Sequence, residues 1–317
     1  MKKTLAIFVL LCMLFSFACN KNGGKTADGG ATKAPVDSEQ TAVTTDGVAN
    51  TPATDEHVKP DENNIYTIAD QVVYDSDLCT FKIVDAGIDE IWGFTLNVYI
   101  ENKTSDKKLS FSLEDVLVNG YAVEPFWSED VTAGKKANSS IYFFDDTFDK
   151  LGTTSADELT FTLHVSDADD WTADDLSKER ITVYPTGLSA DKVVYPQRRT
   201  TDKEFVAIDN EKLTFIILDT ENNADWGYTL NCYLENKTDE SLMFSWSDVS
   251  VNGFMADPFW ANELCAHGKC YCGIAFKAIL EENGITDVEQ IEATLRVYSV
   301  DDWNSEDLFI DQITYTP

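Results

Sequence analysis

Positive charge is scarce in this chain: 24 Lys and Arg stand against 56 Asp and Glu in 317 residues, a formal net charge of -32. Such a surface repels phosphate backbones and anionic lipid headgroups, so nucleic acid drops out as a partner and cations, neutral glycans or basic proteins remain. Histidine is scarcer still. The three, His57, His164 and His267, sit in unrelated contexts, and no Ser/His/Asp or Cys/His set is spelled out. Glycine-rich phosphate loops are absent as well, so neither an enzyme nor a bound cofactor is expected. The apolar run over residues 5–18 is too short to span a bilayer comfortably.

What is there begins with an export signal. MKKTLAIFVLLCMLFSFACN places two lysines before an apolar h-region and ends it at Cys19. A cysteine directly after a small residue resembles the lipobox of bacterial lipoproteins. That resemblance implies cleavage of residues 1–18 and a diacylglyceryl anchor on Cys19; the alternative is an ordinary cleaved secretory signal. From residue 19 to 65 the composition shifts to Gly, Ala, Thr, Asp and Lys with few large apolar side chains, which predicts a flexible, disordered tether with a reach of about 35–40 Å.

The rest of the chain is written twice. GFTLNVYIENKT, from Gly93, returns as GYTLNCYLENKT, from Gly227, with nine of twelve letters shared. LSFSLEDVLVNGYAVEPFW, from Leu109, returns from Leu242, and LTFTLHVSDADDW, from Leu159, returns from Ile291. The offset drifts from 134 to 133 to 132, one residue at each of two loops, where length changes are tolerated. Two domains follow, 66–200 and 201–317, each large enough for its own core.

Within a copy the dominant period is two. Leu96, Val98 and Ile100 alternate with Asn97, Tyr99 and Glu101, and similar alternation marks residues 80–84, 109–113, 139–143, 159–165 and 179–183. Short strands separated by Asn-Gly, Asn-Lys-Thr and Ala-Gly-Lys predict an all-β fold, two tandem antiparallel sandwiches. FKAILEENGI, from Phe276, predicts a short helical insertion stopped by Gly284, with a counterpart ending at Gly152. The order ENKT, FSxxDVxVNG, AGKK turn and final LTFTLHV-type strand resembles the immunoglobulin-like sandwich repeats of uncharacterised lipoproteins of Gram-positive bacteria. The resemblance brings no catalytic residue and no assigned activity.

Three sets of side chains compete for a functional role. In LCAHGKCYCGI, Cys265, His267, Cys270 and Cys272 supply the thiolate and imidazole that zinc or copper prefers, although the spacing is not a standard zinc pattern. The same residues allow a Cys265–Cys270 disulfide across the AHGK turn, or buried free thiols. Cys79 and Cys232 answer to Leu213 and Val98 and read as small buried hydrophobes. Asp169, Asp170 and Trp171 recur as Asp301, Asp302 and Trp303, either a loose calcium loop or a solvated acidic loop with Trp folded over the sandwich edge. Phe126 and Trp127 in EPFW, with Phe259 and Trp260 in DPFW, either stack on a sugar or pack into the core and edge.

The sequence thus predicts an exported lipoprotein held by Cys19 on the extracytoplasmic face of the cell membrane. It acts as a non-catalytic binding, adhesion or spacer module for a cell-wall or host glycan or a protein; the alternative is a metal-binding lipoprotein using zinc, copper or calcium.

Overall fold

Residues that alternate strictly between apolar and polar fold as strands, and the protein is predominantly β. The computed structural model describes residues 65–144, 146–223, 225–256, 258, 260–302 and 305–317. The expected signal, Cys19 and the expected tether, residues 1–64, lie outside the described residues, as do Phe259 and Trp303.

The first copy runs β1 (Ala69–Asp75), β2 (Cys79–Asp89), β3 (Gly93–Asn102), β4 (Leu109–Val118), β5 (Tyr121–Ala122), β6 (Ser128–Val131) and β7 (Lys136–Phe143). A short helix α1 (Thr147–Leu151), then β8 (Leu159–Asp167) and β9 (Ser177–Val183), complete it. The second repeats the order: β10 (Phe205–Asp209), β11 (Leu213–Asn223), β12 (Gly227–Asn236), β13 (Leu242–Val251), β14 (Phe254–Met255), β15 (Ala261–Leu264) and β16 (Lys269–Ala275). Helix α2 (Lys277–Asn283), β17 (Ile291–Ser299) and β18 (Phe309–Tyr315) follow. Both helices stop at a left-handed glycine, Gly152 (φ 68°) and Gly284 (φ 66°), where a side chain would be strained. Strands β1 and β5 carry no sequence alternation: β1 is an exposed edge, and β5 is two residues long.

Sheet β1-β2-β3-β7 faces β5-β4-β8-β9 across a core containing Phe81, Ile83, Leu96, Phe111, Phe161 and Leu163. Sheet β10-β11-β12-β16 faces β14-β13-β17-β18 across a second core of Phe215, Ile217, Leu230, Phe244, Leu295 and Val297. The inner two of these four layers are one sheet. Strand β16 pairs in parallel with β5, which gives a nine-stranded sheet in the order β10-β11-β12-β16-β5-β4-β8-β9, with β6 attached to β4.

The joint is both hydrogen-bonded and aromatic. Lys269 N–H donates to Gly120 C=O at 3.0 Å. The Tyr121 ring, fully buried, stacks on Tyr271 with centroids 5.5 Å apart and planes 16° apart. Ile216, Leu218 and Tyr233, on the outer face of β11 and β12, join the core of the first copy. The connecting segment closes over them: Arg199 N–H donates to the Tyr271 hydroxyl at 2.8 Å, and its guanidinium lies 4.4 Å from that ring. Burial, and then Tyr271 beside it, pushes the Tyr121 phenol far above its ordinary value, so this phenol stays protonated under the cations that flank it.

The repeated letters mark buried brackets. Asn102 of ENKT is fully buried; its Nδ2 donates to Lys107 C=O (2.8 Å) and Val131 C=O (2.7 Å), and its Oδ1 accepts from the Thr104 N–H and hydroxyl. Asn236 does the same for Glu240, Leu264 and Thr238. In VNG, Asn119 (φ 49°) and Asn252 (φ 51°) each open a left-handed Asn-Gly turn and bond the loop before β8 or β17. These asparagines stitch one strand connection to the next, which is why two divergent copies keep them.

Replacing either bracket, Asn102→Ala or Asn236→Ala, strands several buried main-chain groups and is expected to lower stability by about 2–4 kcal/mol in urea unfolding. A loss below ~0.5 kcal/mol for both would show that water satisfies those groups instead.

Candidate functional site

Strand alternation scatters the thiol-rich segment. Cys265 faces the joint, where its Sγ lies 3.9 Å from an Arg180 guanidinium nitrogen and 4.0 Å from Asp115 C=O. Cys270 turns into the second core, with its Sγ 3.7 Å from Asn262 Oδ1. Of the alternatives the sequence left open, the Cys265–Cys270 bridge is not formed, and all five described cysteines are free thiols. His267 leaves the group altogether: it is exposed, at φ 59° where the first copy has Gly134, and its Nε2 bonds Asp239 at 2.8 Å. Hydrogen bonding to Cys272, then burial, raises the Cys270 thiol well above its usual range; hydrogen bonding to Cys232 does the same to Cys272. Thiols held protonated are poor ligands. Among the described residues no group of three or more His, Cys, Asp or Glu side chains is placed to hold a metal ion, so the set Cys265, His267, Cys270 and Cys272 is not brought together as a metal site. Cys79 and Cys232 are buried, as their aliphatic counterparts imply.

The carboxylates of these loops are taken up by main-chain groups, within the loop in the first copy and across to the β12–β13 connection in the second. Asp167 accepts from Asp169 N–H, Asp170 accepts from the Thr172 N–H and hydroxyl, and Asp301 accepts from Ser241 N–H. Trp171 does not fold over the sandwich edge; it is 87% exposed. One exposed carboxyl, on β15, departs from this pattern. Partial desolvation first, and then Asp115, Asp301 and Glu114, raise the Glu263 carboxyl above its ordinary value, whereas its counterpart Asp130 is held low by Lys108 at 2.6 Å. The perturbed carboxylate thus occurs in one copy only.

A cleft of 530 Å³ opens at the joint, lined by Leu117, Thr160, Arg180, Tyr195, His267 and Lys269 among others. Its basic side chains are already engaged. Arg180 donates to Asp115 C=O at 2.7 Å, His267 meets Asp239, and Lys269 lies 3.7 Å from Glu235. Little charge is left to recruit an ion.

The aromatic candidates divide by strand parity. Trp127 leans edge-on against Phe81, 6.0 Å between centroids, and its Nε1 donates to Ser139 Oγ at 2.9 Å, which in turn donates to Glu129. Trp260 packs the same way on Phe215 (5.8 Å) and Trp246 (5.9 Å), with Cys272 at the position of Ser139. Both tryptophans are scaffold. Phe126, one residue earlier, points the other way and is 63% exposed beside the Phe126–Tyr142 bridge. Trp92, at the tip of the β2–β3 hairpin, lies against Tyr142 with centroids 5.5 Å apart. Ile88, Ile91 and Phe144 are exposed on the same end of the first copy. The second copy has Asn222, Asp225 and Lys277 at those three positions. The position of Trp92 recurs as Trp226, 66% exposed, but only in the first copy is the exposed tryptophan flanked by apolar side chains, and that flanked cluster is the best-defined candidate surface among the described residues.

Compared with known proteins, the chain matches no family model and no curated protein. The site is therefore read from its own geometry. Of the residues named from sequence, Phe126 alone is placed on this surface, while Trp92, Tyr142 and the three aliphatic or aromatic neighbours were missed. For Ile88, Ile91, Tyr142 and Phe144 the signal was present as differences between the copies, whereas Trp92 recurs as Trp226.

Because folding raises the Glu263 pKa, its ionised form is destabilised above the folded value, and the penalty disappears as pH falls through it. Glu263→Gln is expected to raise the melting temperature near pH 8 and to have no effect near about pH 4. An equal shift at both pH values would show that the Glu263 carboxyl is not raised by its surroundings.

Proposed function

We propose that this chain is a non-catalytic binding or adhesion module of an exported bacterial lipoprotein. In this reading Cys19 carries the lipid on the extracytoplasmic face of the cell membrane, the tether lifts the folded part off it, and residues 66–200 and 201–317 are tandem immunoglobulin-like sandwiches. The ligand contact is the aromatic end of the first copy: Trp92, Phe126 and Tyr142, flanked by Ile88, Ile91 and Phe144. The observation that carries the reading is the exposure of these rings on a protein of charge -32, where water would otherwise favour polar residues.

A neutral glycan suits this surface. The π-face of an aromatic ring is negative and attracts the positive edge of the C–H groups on one side of a sugar ring, and that attraction survives a strongly acidic surround. Anionic polymers are repelled by the same charge. No catalytic role is assigned in this reading: Glu263 is raised beside other carboxyls, and its counterpart Asp130 is held low by Lys108, so the copies share no perturbed acid pair.

A binding screen of residues 20–317 against cell-wall and host glycans tests the reading. Trp92→Ala with Phe126→Ala is expected to weaken the best binder by about tenfold or more at unchanged melting temperature. Trp127→Ala, by contrast, is expected to cost ~3–5 kcal/mol of stability. Equal glycan affinity of the double variant, or no glycan bound by the wild type, would remove this surface from the role.

A further inference from the structure

The joint inside the chain is a template with one half left over. On one side stands a donor, the Asn119-Gly120 turn followed by β5, which offers the Gly120 carbonyl and the Tyr121 ring. On the other stands an acceptor, Lys269 at the start of β16 with Tyr271, Tyr233, Ile216 and Leu218 around it. Because the two copies share one fold, each half has a counterpart.

The donor is duplicated in the second copy. Asn252-Gly253 makes the same turn, with φ of 51° and 81° against 49° and 82°, and β14 pairs with β13 as β5 pairs with β4. In place of the buried Tyr121 and its neighbour Ala122 stand Phe254, 50% exposed, and Met255, 70% exposed. A side chain built on Gly120 would meet the Tyr195 ring at 3.6 Å, whereas one on Gly253 would meet nothing within 4 Å. The docking edge is therefore present, apolar and uncovered.

The acceptor is not duplicated. Where the second copy has Ile216, Leu218 and Tyr271, the first has Lys82, Val84 and Asn138. Lys82 is further committed, paired with Asp70 at 2.7 Å and lying 5.5 Å from the Tyr99 ring. Burying it under Phe254 would break that pair and desolvate a charge. A second copy of this chain is thereby disfavoured as the occupant.

We propose that the β14 edge is a docking edge for a different β-sheet protein, one whose edge strand presents a lysine and whose outer sheet face is aliphatic and tyrosine-rich. The parallel main-chain bond to the Gly253 carbonyl provides strand addition, and Phe254 takes the place of Tyr121 against the partner's tyrosine. Charge points the same way. Thr160 and Arg180 line the cleft beside Lys269 at the inner joint; their counterparts are Glu292 and Gln312, which adds an acid and removes a cation opposite the partner's lysine.

The test uses the full chain and an engineered acceptor. Lys82→Ile, Val84→Leu and Asn138→Tyr recreate the apolar face on the first copy, while Phe254→Asp and Met255→Asp on the same molecule remove its donor, so only a 1:1 complex with wild type can form. Sedimentation equilibrium is expected to show wild type monomeric, and wild type mixed with the acceptor chain as a 1:1 complex. That complex should weaken by about tenfold or more when the donor carries Phe254→Asp and Met255→Asp. Circular dichroism and melting confirm folding, and Phe254→Ser with Met255→Ser serves as a milder donor variant. No complex with folded acceptor chain, or a complex indifferent to the donor substitutions, overturns the proposal. Self-association of wild type through Phe254 overturns it in favour of a second copy.

Discussion

A single parallel contact between β5 and β16 makes one body of two duplicated halves. It rests on one main-chain hydrogen bond and one ring stack, Tyr121 on Tyr271, yet it has wide consequences. Burying a side chain of this size contributes about 1.5–3 kcal/mol, and an aromatic pair ~0.5–1.5 more. Around that contact Ile216, Leu218 and Tyr233 lose their solvent and enter a core that belongs to the other copy. The cleft, the position of Cys265 and the fate of the connecting segment all follow from it.

Much of the scaffold was legible in the sequence. The alternating runs became strands, Gly152 and Gly284 became helix stops, and ENKT and VNG became brackets, because letters that survive duplication mark interiors and bends. What duplication conceals is whatever the copies do differently. The joint uses Ile216 and Tyr271, whose counterparts are Lys82 and Asn138, so an eye trained on sameness passes over it. The thiol segment misled for another reason. Closeness along a strand is not closeness in space, since Cys265 lies before a left-handed turn and faces the joint while Cys270 faces the core. Phe126 and Trp127 divided by the same rule: neighbours in sequence, they fall on opposite sides of one strand edge.

The two copies have therefore specialised at opposite surfaces. The first surrounds its exposed tryptophan with apolar side chains where the second has polar ones around Trp226, and the second keeps an apolar edge where the first is occupied. Shared ion pairs, Lys103 with Asp75 and Lys237 with Asp209, sit on the common scaffold and track neither difference. Surface pairs of this kind contribute little to stability, which leaves the specialised surfaces free to change without loss of the fold.

The pairing of β5 with β16 also sets a timetable. Asp115 and Cys265, which touch at the joint, are 150 residues apart, so at a synthesis rate of ~5–20 residues per second the first half waits roughly 8–30 s for its covering partner. During that interval a nascent chain presents Tyr121 and an unpaired strand end to its surroundings. The like charge of neighbouring chains, both rich in acid over basic residues, then acts as a kinetic guard that keeps unfinished molecules apart until the missing strand has been made.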